Sequence, residues 1–326
     1  MTKRLCSPAP SLGVVFLAFL CAGVNPAAAT FAERLGWKPG EVVVLLHVDD
    51  IGMSHPSNQG GIEAVEKGVA TSWSVMMPCP WVPEISHYLR TNSGIDSGLH
   101  LTLTSEWTRY RWGPLAGKPQ VPGLVDGEGC LWRSVAEVAA HATADEVERE
   151  LRAQIERAEA LGLPITHLDS HMGTLFARTD YFERFAKVGI EKGIPILAVG
   201  GHMTYTLQEH GETARALQGM ARRLWNAGLP VIDDLHTSSL DWKPAEKSDR
   251  LIELLGRLKP GVTEIIFHAS RPTEEFPLIT GTSESRRGDL QALTDPKVRR
   301  FIQDRGIVLT TWRELKERRL RAAPID

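Results

Sequence analysis

Residues 41–54 read EVVVLLHVDDIGMS. The apolar, β-branched run over 41–48 suits a strand buried on both faces, as in a parallel sheet. It ends in two adjacent carboxylates, Asp49 and Asp50. Residues 58–68 then read as a helix, with Ile62 and Val65 three apart and Gly68 as a stop. Further strands are expected over 70–77, 98–103, 165–169, 196–199, 231–232, 264–268 and 307–310. Helices are expected over 144–161, 181–192, 214–227, 248–258 and 295–305. Strand and helix alternate about seven times. That order predicts an α/β fold with right-handed crossovers, a distorted (β/α) barrel of about seven parallel strands. No linker divides residues 30–326, which read as one domain. Residues 109–133 are rich in Gly, Pro and Trp and read as a long ordered loop, anchored by Trp112, Leu115, Val121, Leu124 and Trp132.

The chain has 326 residues, with 42% hydrophobic and 24% charged residues and a formal net charge of −3. This balance is globular and gives no basic face for a nucleic-acid partner. Residues 1–29 read as an export signal. Lys3 and Arg4 precede an apolar run over 12–24, and Ala27-Ala28-Ala29 offers a cleavage site. The run is shorter than the roughly 20 residues of a membrane span, and no later segment reads as transmembrane. The protein is therefore expected to be exported, to the periplasm or the outside. Cys79 and Cys130 would then meet an oxidising compartment, where they either pair or stay as two buried thiols.

In such a barrel the site lies at the C-terminal ends of the strands. Asp49, Asp50, His100, Asp169, His171 and His268 each end or follow an expected strand. A pair of aspartates alone also serves in caps and turns, and one strand histidine is weaker evidence still. His167, Asp169 and His171 stand at alternate positions, and from one strand they would project the same way. One carboxylate with two imidazoles makes a facial set for a divalent cation, and a second carboxylate can take a proton from a water. His47 reads as an inward strand residue. Asp233, Asp234 and His236 read as a turn with surface charges, and the loop tryptophans as anchors.

The chain resembles the YdjC-like carbohydrate deacetylases. The resemblance rests on HVDDIGMS at 47–54, NQGGIEAVEKGVATS at 58–72, GLHLTLT at 98–104, PITHLDSH at 164–171 and IIFH at 265–268. It implies a distorted barrel, one divalent metal ion and removal of N-acetyl groups from a sugar or oligosaccharide. It further implies that Asp49 is the general base, that Asp50, His100 and His171 are the metal ligands, and that His268 assists at the leaving amine. Asp169 and His167 would stand behind the ligands, His167 equally as a core residue. The donor set suits zinc or magnesium, with manganese or cobalt as alternatives. Hydrolysis of another amide or ester, and glycan binding without catalysis, are the competing readings.

The chain departs from the family pattern at Ile51, at Met172, Gly173 and Leu175, and at Ala269-Ser270. Where the family carries histidines, Met172 and Leu175 predict a less polar sugar pocket and poor turnover of small chitin oligosaccharides. N-terminal sequencing of the exported protein is expected to begin at Thr30. A mature chain that still begins at Met1 contradicts the export reading.

Overall fold

The protein is described by a computed structural model covering residues 29–324. The export signal read over 1–29 therefore lies, Ala29 apart, outside the described residues. No helix among the described residues is long and apolar enough to cross a membrane.

The apolar run forms β1 (Val42–Ile51), which is buried along almost its whole length. It is followed by β2 (Ser72–Val75), β3 (Ser97–Leu101), β4 (Leu168–Ser170), β5 (Asp234–His236), β6 (Gly261–Phe267) and β7 (Val308–Leu309). All pairings are parallel, in the order β4-β3-β2-β1-β6-β5. β7 pairs with the start of β1 (Val43 with Val308), and β2 pairs with its end (His47 with Ser72). Residues 196–199, expected as a strand, form only single bridges, Leu168 to Ile196 and Val199 to Ile232. Backbone hydrogen bonds nevertheless run from this segment both ways, Leu197 N–H to Leu168 O and Ile232 N–H to Ala198 O. The segment thus joins the two edges of the sheet, and the barrel closes irregularly there.

Amphipathic helices cover the outside. Ala144–Ala160 begins with a reciprocal cap between Thr143 and Glu146 and buries Val147, Leu151, Ile155 and Ala158, the expected spacing. Helices Val82–Thr91 and Ser283–Thr294 were not expected. Both lack a side-chain cap, and the second buries Arg286 and Asp289. The loop over 109–133 is ordered as expected. Trp112 Nε1 donates to Thr104 O, Trp132 Nε1 donates to Gly123 O, and Arg111 binds Asp126 and Glu128.

One open alternative is settled and two expectations are corrected. Cys79 and Cys130 are free thiols, so no disulfide joins them. Asp233 and Asp234 are fully buried and His236 nearly so. Asp233 accepts from the backbone of Phe31, Ala32 and Val262, and Asp234 accepts from Tyr205 and Thr206 N–H at a helix start. Leu175 is wholly buried in the core and does not line the site cavity, whereas Met172 is half exposed at it.

Two glycines let the strand ends pack. Gly52 has φ +83°, in the region that favours glycine. Its N–H donates to Asn58 Oδ1 at 2.6 Å, which fixes the turn after Asp49-Asp50. A Cβ on Gly60 would stand 2.5 Å from the carbonyl oxygen of Ala269. The helix His55–Glu66 therefore sits directly on the backbone that follows His268. Gly60→Ala is expected to destabilise the fold by about 1–3 kcal/mol. Gly94→Ala, with open space around it, serves as the control. Equal denaturation midpoints for the two variants would contradict this packing.

Candidate metal centre

β1 delivers the two aspartates differently. Its register against β2 breaks between Val48 and Ile51, and Asp50 takes the left-handed conformation with φ 64°. Aspartate tolerates that conformation better than most residues, at a strain cost of about 1–2 kcal/mol. The break turns Asp50 toward the strand tips without losing Asp49 from the interior.

Asp50 Oδ1 stands 3.3 Å from His171 Nδ1 and 3.5 Å from His100 Nε2. One atom from each of the three residues lies within 4.8 Å of the others. Carboxylates hold the far side of both rings. Asp169 Oδ1 accepts from His100 Nδ1 at 2.6 Å, and Glu106 accepts from His171 Nε2 at 3.1 Å. Each contact places a proton on the outer nitrogen and leaves the inner nitrogen's lone pair for a ligand. Arg286 Nη1 donates to Asp50 Oδ2 at 2.6 Å. Asp50 Oδ1 is buried yet has no hydrogen-bond partner. An orphaned carboxylate oxygen facing two prepared imidazole nitrogens fits a divalent cation.

Two other sets, His47/His167/Asp169 and Asp49/His100/Asp169, converge as closely. Only Asp50, His100 and His171 all line the open cavity, which lacks His47, His167 and Asp169.

The sequence placed His167, Asp169 and His171 on one strand face, and the structure separates them. β4 ends at Ser170, and His171 starts a tight turn in which Met172 and Gly173 are left-handed. His171 thereby swings to Asp50, while Asp169 stays beneath His100. His167 lies 3.7 Å from Asp169, its Nε2 has no hydrogen-bond partner, and its ring stacks on Trp312.

Asp49 lies beside the ligand-like set. Its Oδ1 is 3.2 Å from His47 Nε2, and its Oδ2 is 3.6 Å from His100 Nε2 and 3.8 Å from His268 Nε2. His47 is more than an inward strand residue, since the same Nε2 is 3.2 Å from Asp169. Burial opposes charge on His47, but Asp169, Asp49 and Glu264 outweigh it and raise its pKa well above the usual value. Burial likewise opposes ionisation of Asp50, yet Arg286 and His171 hold its carboxyl well below the usual range. His171 loses from burial and gains more from Glu106 and Asp50, which push it up to about 10. Burial and then Arg286 keep His268 below the ordinary imidazole value. The centre thus draws positive charge strongly.

Sequence reasoning missed Glu106, Arg286 and the ionic role of His47. Glu106 and Arg286 come from a loop and a polar helix with no motif spacing. His47 stands two residues before Asp49 on one strand, a period-2 signal that points both inward.

A family model described as YdjC-like protein matches residues 43–304. A carbohydrate deacetylase of Thermus thermophilus is 32% identical over 286 residues, 87% of this chain and 97% of the relative. A carbohydrate deacetylase of Thermoanaerobacter pseudethanolicus is 26% identical over 273 residues, 84% of this chain and 99% of the relative. Among solved structures, an Enterococcus faecalis V583 protein named for cellobiose-phosphate cleavage superposes with a TM-score of 0.72 at 23% identity, over 84% of this chain and 99% of that one, and shares its fold. With the matched segment covering most of the chain, this protein belongs to the YdjC-like family.

Proposed function

We propose that this protein is an exported, metal-dependent carbohydrate deacetylase, whose catalytic domain spans 30–326 and removes N-acetyl or similar acyl groups from sugars. One observation carries the reading: the Asp49 carboxylate stands at the edge of the Asp50/His100/His171 set without belonging to it, on the wall of one cavity. A glycan-binding protein needs no such carboxylate. The relatives named carbohydrate deacetylases support the choice of substrate.

Asp50, His100 and His171 would hold the ion. Two imidazoles with one carboxylate favour zinc, and magnesium, manganese or cobalt also accept mixed nitrogen and oxygen donors. A divalent cation here supplies Lewis-acid charge to the acyl carbonyl and acidifies a water. Asp169 and Glu106 keep the two rings in the required tautomers. Asp49 takes the proton of the attacking water on Oδ2. His268, neutral because burial and Arg286 disfavour its charge, lies 3.8 Å from that oxygen. Its Nε2 takes that proton from Asp49 and passes it to the departing sugar nitrogen, so both side chains end as they began. His47 holds Asp49 and Asp169 in place from below.

The test is acetate release from N-acetylated sugars by metal-loaded protein, with and without a chelator. Release that the chelator abolishes is expected. No release from any N-acetylated sugar contradicts the proposal, and release that survives full metal removal contradicts its metal dependence.

The roles separate by mutation. Asp49→Asn is expected to keep the metal and lose roughly 10²–10⁴-fold in kcat. His171→Ala is expected to lose metal affinity first. Equal metal loss in these two variants contradicts the assignment. Glu106→Gln leaves the donor atoms intact but no longer fixes the His171 ring, and its metal affinity is expected to fall roughly 10–100-fold in chelator competition. Unchanged affinity would remove Glu106 from the site.

A further inference from the structure

The cavity at the ligand-like set holds about 660 Å³, within the range of about 300–1,000 Å³ typical of ligand sites. Its walls divide by chemistry. β1, β3 and the turn after β4 contribute Asp49, Asp50, His100 and His171. An apolar wall is built from Phe182, Leu197, Val199, Met203, Leu235 and Ile266. None of these six side chains carries an N–H or O–H group. Thr206 joins this wall but spends its hydroxyl on Asp234 Oδ1 at 2.8 Å. Ordinary barrels of this kind fill their lumen with side chains. Here the irregular closing segment at 196–199 contributes Leu197, Ala198 and Val199 to an open apolar space that adjoins the metal centre.

The acyl carbon of the substrate has two substituents to place, the amine nitrogen and the rest of the acyl group. His268 serves the nitrogen, and Arg286, Thr280 and Thr282, from the segment after β6, are polar liners too; His210 and Thr237 also line the cavity, 3.1 Å from each other. The acyl group is left with the apolar wall. A sugar hydroxyl set against those six side chains finds no partner on them, which weakens binding about tenfold per group. A hydrocarbon chain gains about fourfold per buried methylene.

We infer that the apolar half of this cavity is an acyl-chain subsite, and that the preferred substrates are amino sugars whose N-acyl chain is longer than acetyl. The inference rests on the deacylase reading above. Water adds its oxygen to the acyl carbon, the C–N bond breaks with its electron pair on nitrogen, and nitrogen takes a proton. The products are a carboxylic acid and a free amino sugar, with no change of oxidation state.

The experiment uses zinc-loaded and magnesium-loaded protein with N-acetyl, N-butyryl, N-hexanoyl and N-octanoyl glucosamine, measuring amine release. kcat/KM is expected to rise about fourfold per methylene over the first members, and the octanoyl-to-acetyl ratio to fall at least tenfold in Leu197→Trp and Leu235→Trp. That ratio does not depend on the folded fraction. A steady decline from acetyl onward overturns the inference, as does an unchanged ratio in both variants. Faster turnover of octyl N-acetylglucosaminide than of N-octanoyl glucosamine also overturns it, by assigning the hydrocarbon to the sugar's other end. These outcomes leave deacetylation standing, whereas no amine from any N-acylated sugar overturns both.

Discussion

Asp49, Asp50 and Asp169 lie side by side in the interior of a parallel barrel, all nearly buried, and Glu106 and Glu264 adjoin them. Such a concentration of carboxylates stays ionised only beside positive charge. Arg286 meets Asp50, and His47, whose pKa these carboxylates raise well above the usual value, stands 3.2 Å from both Asp49 and Asp169. Glu264, also buried, is pushed up to about 7 by burial, and its neighbours Asp169 and Asp49 add to the rise while His47 opposes it. One oxygen of Asp50 remains without a partner, and two imidazole nitrogens face it. The residual negative charge and that open oxygen define where a cation belongs. The left-handed backbone at Asp50 follows from the same demand, because an ordinary strand would send successive side chains to opposite faces.

The rest of the barrel serves this cluster. Gly60 and Asn58 press the helix His55–Glu66 against the strand tips, so Asp50 and His268 are held from the outside. A buried pair, Lys247 with Asp289, does the same from the far side: Asp289 Oδ1 is 2.5 Å from Lys247 Nζ, and its Oδ2 accepts from His268 N–H at 2.9 Å. The polar half of the lumen is packed and charged. The other half, where the chain closes the ring with single bridges, is apolar and open.

Much of this was legible in the sequence because strand tips carry their chemistry locally. The run before Asp49 marked the first strand, and Asp50, His100, His171 and His268 each stood at a recognisable boundary. What escaped depends on contacts distant along the chain. Arg286 reaches Asp50 across 236 positions from a helix whose polar residues gave no buried face. Asp233 looked like a surface turn because its partners, Phe31 and Ala32, lie some 200 residues earlier. His171 shares no strand face with Asp169, since alternation ends where β4 does and left-handed Met172 and Gly173 cannot be read from spacing. The apolar pocket was anticipated from Met172 and Leu175, of which only Met172 lines the cavity. Leu175 belongs to the core, and the apolar wall comes instead from the barrel's irregular closure.

The most direct test of the account is the anomalous scattering of a zinc-loaded crystal at the metal edge. One peak is expected per chain, at about 2.0–2.2 Å from Asp50 Oδ1, His100 Nε2 and His171 Nδ1, with Asp49 beside it and not bonded to it. A peak held instead by His47, His167 and Asp169, or none at that end of the barrel, would contradict the assignment on which the proposed chemistry stands.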